Sequence, residues 1–552
     1  MPISRDRLYR LFRFLLVSVN LLVLITLVAT GIFIRLEGDW VHPTIRDPKD
    51  AFENGTIGTE LMPLPVALVL PDLFPEHFQP AGADAGDWVK QFGFLPYDNP
   101  EANNGLPLGF ATSNYRPGSA APSPVPFVGF SCALCHTTRI RKSEESKGVV
   151  VYGPGSVSIN LFAWIDAFQA AVLTRVKPQR DGETDMERPY RLTVDSICDS
   201  YRAKTGETLG SIQRLLIGLW LRQVRARIEA GLPRFDEPIG NYRSRDADVT
   251  PTGPTRTQPF RTLVRTVLDR PGNDMPVYTK IATVFSEDHR ARAQFDGSIG
   301  DIYARSSLAA LAAGATVTNM AKPEIADNIR KASDFTKTLR PLRYSDMFPE
   351  DAASIDPARI LQGRKVYGQY CAACHGDRDS TGAWVNGEKT GQVVPAGELN
   401  TDPERVRFRH YGPLAEKMFA LFPDKHPFHF KREDIWPQRG QEEETSIRGY
   451  VNAPLDGMFL RAPYLHNGSV MTLAELINLR KRRDVFYRGD NTYDPADVGF
   501  RSPESADDRN YFTFDTTQIG NSNRGHDYPW AYDDPKRNPD DLAALLDYLK
   551  ML

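Results

Sequence analysis

Cysteine is scarce in this chain, with five in 552 residues, and four of those fall in two short motifs, leaving only Cys198 outside them. An excess of positive charge is also missing. Sixty-seven Lys and Arg stand against 70 Asp and Glu, scattered along the sequence, so there is no electrostatic footprint for a nucleic-acid partner. No short tandem repeat appears, which excludes a solenoid or propeller array. Seven tryptophans are no surplus, and core packing is the default role for Trp164, Trp220 and Trp384, each of which could otherwise carry electrons. Glycine and proline are ample instead, 41 and 42 residues, somewhat above their usual combined share of about 12%, and this points to many turns and long loops.

The four clustered cysteines lie in Cys132-Ala133-Leu134-Cys135-His136 and Cys371-Ala372-Ala373-Cys374-His375. C-x-x-C-H is the attachment sequence for a c-type haem: the two thiols add to the vinyl groups, and the adjacent imidazole is placed to ligate iron. Two covalently bound haem c groups are therefore expected, with Cys132, Cys135, Cys371 and Cys374 as attachment points and His136 and His375 as iron ligands. A zinc site would leave both histidines idle. A redox C-x-x-C would want a βαβ setting, and neither motif follows a clear strand pattern. Cys198 reads as a small buried hydrophobe rather than a reactive thiol.

Phe14 to Ile34 carries no charged side chain over 21 residues, long enough as a helix to span about 31 Å. Arg5, Arg7, Arg10 and Arg13 precede it, so the positive-inside rule keeps the N-terminus cytoplasmic and exports the remainder. A cleaved signal peptide would have a shorter apolar stretch ending in small residues, and only Ala29-Thr30-Gly31 comes near. An uncleaved anchor is the expectation.

Beyond the anchor, residues 40 to 130 show no sustained helical period and read as extended segments and turns. Thr193 to Ala230 reads as an amphipathic helix through Ile212, Leu215, Leu216, Leu219 and Ile228, and Ser306 to Met320 as another. Residues 337 to 356 read as a connection broken by Pro341 and Pro349. From Pro357, Ile360, Gly363, Val366, Tyr367 and Tyr370 lead into Cys371. A last helix opens at Pro539 and runs through Leu542, Leu545, Leu546 and Leu549. Length alone allows several units of about 150 residues, and two large lobes suffice.

The run Pro463 to Val470, the continuation from Phe486 through Gly489 to Asp494-Pro495 and Val498-Gly499-Phe500, and the two haem motifs together resemble the bacterial di-haem cytochrome c peroxidase superfamily. The resemblance is closest to the branch of di-haem rubber oxygenases and fatty-acid dioxygenases, which Leu106-Pro107-Leu108-Gly109-Phe110 ahead of Val128 to Cys132 also resembles. It covers about residues 90 to 552. It implies a mainly α fold with long irregular loops: two cytochrome c-like haem lobes, the first enlarged, behind an N-terminal transmembrane helix. The boundaries expected are 1–36 for cytoplasmic tip and anchor, 37–345 for the first lobe and 346–552 for the second. The implied setting is the bacterial inner membrane with the lobes in the periplasm.

The resemblance further implies that His136 holds the catalytic haem, where oxygen or peroxide is activated. The His375 haem handles electrons with histidine on both faces. Its second ligand comes from near the C-terminus in that branch, which points to His526 in Gly525-His526-Asp527-Tyr528, with His466 as the alternative. His42, His77, His289, His410, His426 and His429 read as surface or hydrogen-bonded side chains. Met458 and Met471 read as core filler, and Phe295 as a wall of the first haem pocket. The expected function is oxidation of an apolar organic substrate. The alternatives are peroxide reduction with a small cytochrome or cupredoxin as electron donor, and pure electron transfer.

Overall fold

The computed structural model describes residues 5–41, 44–79, 88–98, 103–119, 121–177, 188–229, 250–268, 277–406, 411–431, 449–504 and 511–552. His42, His410 and Ala230 lie outside them. The described chain is mostly helical, with short two- and three-stranded sheets between the helices. It opens with a helix, Arg5–Glu37, whose Phe12–Phe33 stretch has a mean hydropathy of 2.5 and is not buried against the rest of the protein. Such a helix serves as a membrane anchor or as a signal sequence.

Residues 40 to 130 depart from the expected extended chain. They hold the helices Pro48–Asn54, Leu64–Leu73, Pro75–Phe78 and Trp88–Gln91, three of which have proline in the first turn, where the missing N–H costs nothing. These helices are too short to display a period. A three-stranded antiparallel sheet of Met62–Pro63, Phe127–Phe130 and Phe110–Ser113 completes the region. Contrary to expectation, the first haem motif does follow a strand, since Phe127–Phe130 runs straight into it. The sheet is buried on both faces, which erases the alternation a sequence reading looks for.

The stretch from Thr193 to Ala230 is two helices, Val194–Thr205 and Ser211–Glu229, because Gly206 at φ +79° ends the first in a left-handed cap. Residues 306 to 320 likewise divide into the end of Ile302–Ala312 and Val317–Met320, on either side of Gly314 at φ +107°. The connection from 337 to 356 contains the short helices Tyr344–Met347 and Pro349–Ser354.

The helices flanking the second motif stand where the sequence places them. Pro357–Tyr370 is capped by Asp356, and Pro539–Lys550 by Asn538 with Asp540 and Asp541 in its first turn. They cross so closely that a Cβ on Gly363 would lie 2.0 Å from the Ala544 carbonyl oxygen, which is why this position has no side chain. Arg359 pairs with Asp547 at 2.7 Å on the rim of the crossing.

Three large apolar clusters and two small ones hold the described residues together. One, around Phe94, Phe110, Phe130 and Trp164 in edge-to-face contact, lies behind the first motif. A second joins Val264, Leu308 and Ile329 to Leu414, Met418, Phe422 and Phe428, so residues 411–430 pack on the N-terminal side of position 345. The third packs Tyr367, Leu545 and Leu549 against Phe459, Tyr464 and Tyr493 and receives Ile140 and Phe285 from earlier in the chain. Met458 and Met471 are buried within it.

Candidate haem sites

The first motif is a tight turn between strands. Cys132–Leu134 forms one turn of 3-10 helix and leads into Thr137–Ile140, which pairs with Val149–Tyr152. Gly109, at φ +89°, lets the Leu106 to Phe110 segment lie against this turn: a Cβ there would come within 2.3 Å of the Leu134 backbone. The Ser131 amide donates to the Gly109 carbonyl at 2.8 Å, and the Ser156 amide to the Cys135 carbonyl at 2.8 Å. His136 is fixed by a hydrogen bond between Nδ1 and the Ala282 carbonyl, 3.0 Å. Since a carbonyl only accepts, Nδ1 carries the proton and Nε2 keeps its lone pair for a metal. Burial, with the nearby Arg305 charge second, pushes the imidazole down to about 3, so it stays neutral.

His136 and Cys135 face a cavity of about 1350 Å3, its open mouth included. Its walls are largely apolar, with Phe162, Phe260, Leu263, Leu308, Ala312 and Met418 prominent. Phe295 also lines it, as expected. A second apolar cavity, about 700 Å3, shares Phe162, Thr262, Ala312 and Ala313 with the first and extends to Val224 and Ile228. The polar part of the first wall includes Glu287, which is held by Arg305 and by the Thr336 hydroxyl at 3.0 Å.

The second motif sits at a helix end. Cys371 caps Pro357–Tyr370, Ala372–His375 makes one further turn, and Gly376 at φ +80° turns the chain away beside Trp384. Thr390 donates to the Cys374 carbonyl at 3.1 Å. His375 repeats the arrangement of His136: Nδ1 lies 2.7 Å from the Ala453 carbonyl, which leaves Nε2 its lone pair for a metal.

His526 stands opposite. Its ring centre is 6.1 Å from that of His375, the planes inclined by 53°. Two imidazoles binding one metal ion from opposite sides at about 2 Å each have ring centres roughly 6 Å apart. The loop is built to hold this side chain out: His526 is itself in the left-handed region, φ +56°, and a Cβ on the preceding Gly525 would strike Asn400 at 2.4 Å. Arg482 donates to the carbonyls of Asn523 and Gly525, at 2.6 and 2.9 Å. Nδ1 of His526 is buried with no hydrogen-bond partner. Burial and the facing His375 push this imidazole down to about 4.

His466 is placed differently. It stacks on Tyr450 with ring centres 4.3 Å apart, and its Nε2 lies 3.0 Å from the Tyr450 hydroxyl. That hydroxyl donates its one proton to the Asp402 carbonyl at 2.6 Å, so His466 is the donor of the pair and its Nε2 is engaged. His77, His426 and His429 also have hydrogen-bond partners, at Thr174, Val317 and Phe422. His289 lies 3.8 Å from Asp288.

The residues present fit a thioether-linked haem at both motifs. Each pairs two cysteines with a histidine whose second nitrogen is directed by a backbone carbonyl, and the second adds His526 on the opposite side, its Nδ1 without a hydrogen-bond partner. Burial raises the thiols, Cys132 to about 11 and Cys135 and Cys371 to about 12, so they are not standing thiolates. Among the described residues no group of three or more His, Cys, Asp and Glu side chains gathers to hold a metal ion. The carbonyls of Ala282 and Ala453 carry no sequence signal, since any residue supplies one.

Residues 449–487, which contain Ala453, His466 and Arg482, match the family model described as RoxA-like, cytochrome c-like. A cytochrome c-like domain of this kind implies covalently bound haem c and a haem-based oxidoreductase, the class to which this part of the fold points. Over 547 aligned residues the chain is 25% identical to the uncharacterized protein y4iJ of Sinorhizobium fredii (strain NBRC 101917 / NGR234), spanning 85% of each chain. It is 28% identical over 303 residues to the uncharacterized protein y4iM of the same strain, spanning 49% of this chain and 64% of that protein.

Proposed function

We propose that this protein is an extracytoplasmic di-haem c oxidoreductase in which the two sites have unequal jobs. The observation that carries this reading is the asymmetry of the histidines: an imidazole stands 6.1 Å from His375, whereas His136 faces a broad apolar cavity with no second histidine among the described lining residues. A haem with one strong protein ligand supplies activation of oxygen or peroxide, and one with two supplies electron transfer. His136 is thus the residue of the catalytic site, and His375 and His526 are the ligand pair of the electron-transfer site.

The chain's own contribution at the first site is to bind and exclude water. A haem held by Cys132, Cys135 and His136 would take up part of this space, and the remaining walls at Phe260, Leu263, Leu308 and Ala312, with the adjoining cavity toward Val224 and Ile228, favour an apolar organic substrate beside it. Glu287, clamped by Arg305 and Thr336, is the carboxylate in that wall able to hold or move a proton. The same Glu287 favours a second reading, hydrogen peroxide reduction with electrons from a small cytochrome or cupredoxin. The lobes are 37–345 and 346–552, with 411–430 reaching back across the boundary, and the N-terminal helix is an anchor in the bacterial inner membrane.

The test is spectroscopic and then chemical. One high-spin or ligand-accessible haem beside one low-spin bis-histidine haem is expected, and two low-spin haems inert to added ligands would refute the division of labour. Oxygen uptake with an unsaturated fatty acid, set against peroxide consumption with reduced cytochrome, separates the two readings.

A further inference from the structure

The segments that hold the two motif histidines share a cavity that neither site explains. It spans about 610 Å3 with its open mouth included, and Ala282 and Ala453, the residues whose carbonyls fix His136 and His375, both line it. It therefore lies between the two sites. Lys280, Arg290, Arg292 and Arg461 also line it, and among the described lining residues there is no Asp or Glu. It adjoins the first-site cavity, sharing Lys280, Ala282, Arg290 and Phe295 with it.

Gathering cations out of water costs several kcal/mol per ion unless anions accompany them. The carboxylates nearest these groups are already committed: Glu287 binds Arg305, and Asp456 binds Arg461 at 3.0 Å. Arg290 donates to the Thr283 hydroxyl at 2.9 Å from Nη2, and Lys280 donates to the carbonyls of Arg461 and Pro463. Nε of Arg290 and Nη1 of Arg292 are buried without a hydrogen-bond partner. Burial first, and then the neighbouring Arg461, Arg488 and Arg290, push Lys280 down to about 7.

We infer that this cavity is a carboxylate-binding site shared by the two haem sites, in which Arg290, Arg292 and Lys280 neutralise haem propionates and thereby couple the reduction of one haem to that of the other. The inference rests on the di-haem reading above. Fixed cations beside the carboxylates favour the extra electron of the reduced state, and removing one makes reduction harder at each haem whose propionate it served. A free oxyanion from solvent offers the same chemistry, so the test separates the sources.

The full-length holoprotein is titrated spectroelectrochemically as wild type, Arg290→Gln, Arg292→Gln and Arg290→Lys, with Lys204→Gln at a remote exposed helix as control. Haem content is measured first by pyridine haemochrome. Fewer than two haems in the wild type would sink the di-haem reading itself, a result distinct from any shift in potential. With two haems present, each Gln variant is expected to lower both midpoint potentials, by about 59 mV for a tenfold fall in the one-electron reduction constant. Arg290→Lys should recover most of the loss, and Lys204→Gln should change nothing. A shift at one haem only, or at neither, would overturn the shared site. Potentials that track added phosphate and lose their dependence on Arg290 without it would assign the cavity to a solvent oxyanion and overturn the propionate assignment.

Discussion

The two C-x-x-C-H turns have the same sequence logic and opposite surroundings. The first is clamped between strands, walled by an aromatic cluster and opened toward apolar space. The second is carried on the end of a helix, half-buried, and closed by an imidazole from a loop more than 150 residues later. On the di-haem reading the pentapeptide therefore decides only that a haem is attached. What the haem can do is decided by what the rest of the chain places on its far side.

The hardest blow to that contrast is to remove one attachment at a time. Cys132→Ser with Cys135→Ser should lose one haem per chain and with it all oxygen- or peroxide-dependent turnover, leaving a low-spin spectrum. Cys371→Ser with Cys374→Ser should leave the ligand-accessible haem. Haem staining on denaturing gels and optical spectra check both, and identical residual spectra from the two variants would erase the distinction.

Next in size is Gly363→Val, which drives a branched side chain into the Ala544 backbone. A cost of about 3 kcal/mol is expected, and the second-site spectrum should be lost at lower temperature than the first. Simultaneous loss at both sites on thermal melting would show that the two are one cooperative unit.

His526→Ala should convert the second haem to high spin without changing the first, whereas His466→Ala should leave both spectra alone and cost about 2 kcal/mol through its lost stacking and hydrogen bond. A high-spin conversion in His466→Ala would exchange the two roles. The smallest effect is on pH. Burial holds His466 neutral well below its ordinary value, so the unfolded chain takes up a proton below pH about 6.5 that the folded chain refuses. Stability should fall by up to about 1.4 kcal/mol per pH unit as the medium is acidified below that value, and His466→Phe should flatten that slope in denaturant titrations.

The two C-x-x-C-H turns, the apolar N-terminal helix and the helices at Pro357 and Pro539 were legible because each is a local pattern: fixed spacing, uninterrupted apolar length, or proline and acidic residues at a helix start. The helices between 48 and 91 were not, since four to ten residues cannot show a period and burial on all sides removes alternation. The break at Gly206 was hidden by an apolar rhythm that continues on either side of it. Of the site, His526 stood out by its neighbours and by resemblance. The cavity walls at Phe260, Leu308 and Met418 and the carbonyls of Ala282 and Ala453 did not, because three-dimensional proximity brings them in from distant stretches of ordinary residues.

The clasp between Pro357–Tyr370 and Pro539–Lys550 has a consequence for how the protein is made. A ribosome adding ~5–20 residues per second needs roughly 10–30 s to travel from Cys371 to the closing helix. Throughout that interval the leading helix is already synthesised but lacks the helix it crosses, and the loop bearing His526 has yet to be translated. The early site can take shape around its strands while the late one waits for the last dozen residues, so a premature stop near the end of the message would spare one half of the molecule and cripple the other.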